Sequence, residues 1–183
     1  MQFLKGTSMY KLLALAAVGA LAACSSLSLR SPTATATLAP TKGNEVAGTV
    51  GFVQRGGKVI VDARVSGLSP GLHGFHIHEK GDCRAADASS AGNHFNPKSA
   101  PHGGPQADRR HAGDFGNLRA DAHGVAVYHA EIAGITLGTG DDSIIGRAVI
   151  VHASADDLSS QPAGNAGARL ACGLISKSAD KWF

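Results

Sequence analysis

From Glu79 to Gly113 the chain runs for about 35 residues without apolar periodicity, dense in Gly, Pro, Ser, Asp and His, between segments that alternate apolar and polar residues. Loops longer than about 12–15 residues with no structure of their own are uncommon in compact domains unless a function or a bound ion orders them. The fold must therefore carry a long, ordered excursion between strands. Lys58 to Ser66 places Val59, Val61, Ala63 and Val65 on one face, the period of a half-buried strand. Val46 to Val53 behaves similarly, and Arg55-Gly56-Gly57 between the two has the chemistry of a hairpin turn. Further strands are expected over Gly71 to His78, Asp114 to Asp121, Gly124 to Ile132, Ile145 to His152 and Ala168 to Ser176, with a second turn at His123-Gly124. There is no internal repeat and no long helical period. Glycine, at 24 of 183 residues, is well above the usual share of about 7%. The pattern predicts an all-β domain, a sandwich or barrel.

The amino terminus reads as an address. Lys11 precedes twelve apolar or small residues, Leu12 to Ala23, too few to cross a hydrocarbon core that needs about 20 and suited to the apolar part of a signal peptide. The run ends in Leu21-Ala22-Ala23-Cys24, which resembles a bacterial lipobox, with Cys24 the acylated first residue after cleavage. Ser25 after it favours the outer membrane. This divides the chain into a signal peptide (1–23), an acylated cysteine with a flexible tether rich in Ser, Thr, Ala and Pro (24–44), and a folded domain (45–183). The expected location is the periplasm, lipid-anchored to the outer or inner membrane. With Cys24 lipidated, Cys83 and Cys172 remain, as a disulfide in an oxidising compartment or as two buried thiols.

The formal charge is only +3, part of it in Lys5 and Lys11 of the leading segment, so nucleic acid is not an expected partner; a second copy of the chain, as a homodimer, is allowed. Histidine is the exceptional residue, with nine in the chain. His76 and His78 form an H-x-H pair on an expected strand, so both rings project to one side, and His152 ends another strand. His94, His102, His111 and Asp114 follow at spacings of eight, nine and three, three nitrogens and a carboxylate of the kind that suits tetrahedral zinc. An all-imidazole set with an open position suits copper as well as zinc. His73, His123 and His129 lack such a pattern and read as ordinary histidines.

Six segments, Gly74-Phe75-His76-Ile77-His78-Glu79, Gly92-Asn93-His94-Phe95-Asn96-Pro97, His102-Gly103-Gly104-Pro105, Arg110-His111-Ala112-Gly113-Asp114, Val151-His152-Ala153 and Gly164 to Gly173, resemble copper/zinc superoxide dismutase of the bacterial exported lipoprotein type, in order and across nearly the whole domain. The resemblance implies a Greek-key β-barrel or sandwich of about eight antiparallel strands with long metal-binding loops. It implies copper on His76, His78, His94 and His152, and zinc on His94, His102, His111 and Asp114, with His94 shared. It further implies that Asp156 links His76 to His102, that Arg169 stands over the copper, and that Cys83 and Cys172 form a disulfide. The substrate implied is superoxide, dismuted to dioxygen and hydrogen peroxide, with Arg169 and His94 as the catalytic residues. A periplasmic copper or zinc storage module on the same fold is the competing reading, since fold does not fix function. The stretch between Asp156 and Gly164 contains no lysine or arginine to steer an anion, and Lys80 and Arg84 are the nearest basic residues expected to substitute.

Overall fold

The computed structural model describes residues 33–178. Eight strands close into an antiparallel barrel: β1 (Thr33–Pro40), β2 (Ala47–Arg55), β3 (Lys58–Ser66), β4 (Gly71–His78), β5 (Asp114–Ala120), β6 (Ala126–Ala133), β7 (Ala148–His152) and β8 (Arg169–Leu174). A two-residue β9 (Ser176–Lys177) adds to β1. Around the barrel the order is β2, β3, β6, β5, β4, β7, β8, β1, and β1 closes it by pairing with β2. The connections from β3 to β4 and from β6 to β7 leave the neighbour order, which makes the topology a Greek key.

Alternation explains most of these strands. Val59, Val61, Ala63 and Val65 of β3 all enter the core, where burial contributes about 1.5–3 kcal/mol for each valine. Phe75 packs edge-on against Phe115 and Tyr128, with ring centroids 5.7 and 5.2 Å apart. The expected strand at Ala168 to Ser176 is divided at Ile175, whose N–H donates to Arg147 instead of continuing a ladder.

One expectation is corrected. Residues 33–40, assigned to the flexible tether of 24–44, form β1. Their apolar face is Ala34, Ala36 and Leu38, 1, 1 and 2% exposed, facing outward-leaning threonines. Ala and Thr differ too little in hydropathy for that alternation to stand out in the sequence, and the strand exists because β2 and β8 supply its partners. Cys24 and the leading apolar run lie outside the described residues.

Candidate metal centre

On β4 the alternation sends Phe75 and Ile77 into the core and leaves His76 and His78, both buried, on the opposite side. A register shift between Gly74 and His76 sets His76 against Asp114 of β5. The same part of β4 pairs with β7, which brings His152 alongside. The aperiodic segment is laced onto this strand end: Phe95 donates to the Ile77 carbonyl (2.8 Å), Gly113 to that of Phe95 (2.9 Å), and Ile77 to that of Gly113 (2.9 Å). A Cβ at Gly113 would collide with the Ile77 carbonyl, so this lacing requires glycine there. His94, next to Phe95, thereby reaches His78.

Two groups of donors result, His76, His78, His94 and His152, and His94, His102, His111 and Asp114; within each, the donor atoms lie within 4.8 Å of one another and every residue is buried. Among the described residues six buried nitrogens have no hydrogen-bond partner: His76 Nδ1, His78 Nε2, His94 Nε2, His152 Nε2, His102 Nδ1 and His111 Nδ1. The first four belong to the all-imidazole group. The last two stand 3.0 and 3.2 Å from Asp114 Oδ1, which also faces His94 Nδ1 at 2.8 Å. Leaving buried polar atoms unpaired costs about 1–3 kcal/mol each, so six of them converging on two points fit two bound cations. The donor chemistry agrees: four imidazole nitrogens suit copper or zinc, and three nitrogens with one carboxylate oxygen suit zinc. His94 presents one nitrogen to each group.

The opposite nitrogens hold the rings in place. His78 Nδ1 meets the Gly92 carbonyl at 2.9 Å and His152 Nδ1 that of Gly167 at 3.1 Å. Asp156 accepts from His76 Nε2 through one oxygen (2.8 Å) and from His102 Nε2 through the other (2.9 Å), bridging the two groups as expected. Asn117 fixes the Asp156 backbone, accepting its N–H and donating to its carbonyl at 2.8 and 2.9 Å. Gln161 does the same for His102. Gly164 (φ +66) lies so close that a Cβ there would meet Asp156 Oδ1. His73 is a satisfied core histidine behind His152, its Nδ1–H donating to the His152 carbonyl at 2.9 Å and its Nε2 placed to accept from the Ser69 hydroxyl at 3.3 Å. His129 pairs with Asp62 on the surface.

Burial pushes His78 well below its ordinary pKa, His94 down to about 4 and His152 down to about 3, against weaker opposing hydrogen bonds, so these rings are neutral at pH 7 with lone pairs free for a metal. In His102 burial is outweighed by the flanking carboxylates of Asp114 and Asp156, which raise it to about 9. Burial likewise opposes the charge on Asp114 and Asp156, but the imidazoles around them, His102, His111 and His94 at Asp114 and His102 and His76 at Asp156, hold both below the carboxylate range.

An open cavity of about 460 Å³ is lined by His78, His94, His152, Glu79 and Arg169. Arg169 is anchored by the disulfide loop, Nη1 donating to Ala88 and Nη2 to Gly92, both 2.6 Å. Cys83 and Cys172 are bonded, Cα to Cα 5.8 Å, and fasten that loop to β8. Arg84 is paired with Asp82 at 2.6 Å, and neither Lys80 nor Arg84, the expected basic substitutes, is among the residues that line this cavity. Asn117, Gln161 and Arg147, whose guanidinium stacks on Phe95 and donates to the Glu79 carbonyl, had no signal in the sequence because their partners lie 39 to 68 positions away or across the fold.

A sequence model of the copper/zinc superoxide dismutase family matches residues 46–175, which spans every residue of both donor groups, Arg169 and the disulfide.

Proposed function

The chain belongs to the copper/zinc superoxide dismutase family, and from that premise we propose that it is an active dismutase, in which two superoxide anions and two protons yield dioxygen and hydrogen peroxide. The observation that carries this reading is that Arg169 and three of the four imidazoles of the first donor group line one open cavity. A small anion entering there meets a planar cation beside the metal-binding nitrogens. Storage of a metal needs no such cation.

His76, His78, His94 and His152 would hold copper, and His94, His102, His111 and Asp114 would hold zinc. Bound copper supplies the one-electron couple that superoxide alternately reduces and oxidises, and zinc supplies a fixed positive charge. Arg169 orients the anion, and its two carbonyl anchors keep the guanidinium from swinging away. His94 Nε2, buried and unpartnered by protein, is the atom at which a proton can be held next to that anion, while Nδ1 stays directed at Asp114. Asp156 keeps His76 and His102 in a common orientation, coupling the geometry of the two groups.

The reading includes export and a lipid anchor at Cys24. It is supported by the lipobox-like Leu21-Ala22-Ala23-Cys24 and by the pairing of Cys83 with Cys172, a bond that persists in oxidising compartments.

Metal analysis of the purified chain beside a superoxide decay assay tests the function. One copper and one zinc per chain, with decay far above the buffer rate and lost in Arg169→Ala, is expected. Full metal content with decay at the buffer rate would replace the enzyme by a storage module.

A further inference from the structure

The cavity over the first donor group shares two of its lining residues, Gly167 and Arg169, with a second cavity of about 510 Å³, whose lining includes Lys42, Asn44 and Asp87. Resting on the dismutase reading, we propose that Lys42 is a guidance residue, drawing small oxyanions such as superoxide along this groove to Arg169.

Its position is built by the barrel. β1 ends beside β8 in the register Ala39 to Cys172 and Pro40 to Ala171, which delivers the β1–β2 turn to the start of β8. Thr41 donates through its N–H to the Leu170 carbonyl (2.9 Å) and through Oγ1 to that of Arg169 (2.8 Å). Asn44 Nδ2 in turn donates to Thr41 Oγ1 at 2.7 Å. The Lys42 N–H donates to the Ala86 carbonyl of the disulfide loop at 2.8 Å. The backbone of Lys42 is thus fastened to both walls of the groove while its side chain is exposed.

Charge makes the position useful. Among the described residues Lys42 is in no ion pair, whereas Arg84 is held by Asp82 and Lys98 by Asp142. The stretch Asp157 to Ala163 on the other side of the cavity has no cation. Asp87 lines the second cavity, where its carboxylate receives the Ser89 N–H at 2.9 Å, and Glu79 lines the first, so Lys42 and Arg169 are the two cations set against two carboxylates along the groove. Focusing by a positive cleft raises association rates by about 10- to 1,000-fold overall. It is strongest at about 0.01 M salt, where the Debye length is about 30 Å, and nearly gone at about 1 M, where it is about 3 Å.

The test is the superoxide rate constant of the metal-loaded enzyme against ionic strength, beside inorganic phosphate binding to the reduced, diamagnetic holoenzyme followed by the amide shifts of Gly167 and Arg169. Lys42→Gln should slow the reaction roughly two- to fivefold at low salt and weaken phosphate by a similar factor, with the kinetic deficit shrinking as salt rises. Lys42→Arg should restore both, Lys42→Glu should deepen both, and Asp87→Asn should shift both the opposite way. Lys98→Gln, the same change in net charge on a different loop, should keep the parent's salt dependence. The proposal is overturned if Lys42→Gln follows the parent curve, or if Lys98→Gln loses as much. A loaded parent that fails to dismute superoxide defeats the function reading instead, and Lys42 is then decided by the phosphate titration alone.

Discussion

The guanidinium of Arg147 lies 3.6 Å above the ring centroid of Phe95, the residue that follows the shared ligand candidate His94. The same side chain donates to the Glu79 carbonyl, one residue beyond His78, at 2.8 Å, and to the Ser143 carbonyl at 2.6 Å. One residue immediately before β7 therefore ties the loop carrying His94 to the strand end carrying His78.

Arg147→Ala should lower unfolding stability by about 1–2 kcal/mol, the worth of a partly desolvated cation–π contact, and should reduce copper occupancy more than zinc occupancy, because the two positions it braces, next to His78 and next to His94, both belong to the first donor group and only His94 belongs to the second. Arg147→Lys should recover little, since it keeps the charge and loses the planar fork. Thermal unfolding with metal analysis measures both. Equal loss of the two metals would show that Arg147 acts on the fold as a whole.

Asp156→Asn should weaken zinc and copper binding by roughly 10- to 100-fold. An amide can accept one imidazole N–H but turns its NH₂ toward the other, so His76 and His102 cannot both keep their orientation. Gly164→Ala should act in the same direction with Asp156 intact, because its methyl occupies the place of Asp156 Oδ1. Competition with a chelator of known affinity gives the constants, and normal values for both variants would dismiss the bridging role.

In the metal-free protein the pH dependence has two limbs. His94 and His152 have folded pKa values below the unfolded value of about 6.5, near 4 and 3, so the unfolded chain binds more protons and stability falls as pH drops below about 6.5. Asp114 and Asp156, also depressed, add to that loss below about pH 3.9. His102 has the opposite sign: its contribution is full below about 6.5 and fades as pH rises through about 9. Unfolding midpoints should therefore be highest near pH 6.5, where the first limb ends and the second begins. Zinc binding at pH 7 should release about one proton from His102, read by calorimetry in buffers of different ionisation enthalpy, and a heat independent of buffer contradicts it.

Replacing Cys83 and Cys172 together by alanine should cost up to about 4–5 kcal/mol on the chain-entropy model for a loop of this length. It should also slow superoxide decay in the fully metallated protein, since the freed loop carries the Ala88 and Gly92 carbonyls that hold Arg169. A rate equal to that of the parent at equal metal content would separate the disulfide from Arg169.

Cys24→Ser should abolish lipid labelling and move the protein from the membrane to the soluble fraction, with metal content and the Cys83–Cys172 bond retained. Because β1 already begins at Thr33, the segment after Cys24 is shorter than a tether reaching 44, and the anchored barrel should be held close to the bilayer. Retention of the variant in membranes would mean that another part of the chain binds them.

What the sequence by itself determined are features written in near neighbours. The alternation of Val59, Val61, Ala63 and Val65 specified a strand, and the H-x-H spacing put His76 and His78 on one side. Barrel closure decided the rest. Thr33–Pro40 became a strand only because β2 and β8 offered open edges to a segment too weakly amphipathic to declare itself. The choice of Nδ1 or Nε2 at each histidine follows from which carbonyl or carboxylate the fold places behind the ring, as Gly92 does for His78 and Asp156 for His76. Asn117, Gln161, Arg147 and Lys42 do their work across 39 to 127 positions of chain. Separations of that size leave no periodic trace, since they are set by which strands meet rather than by which residues are adjacent.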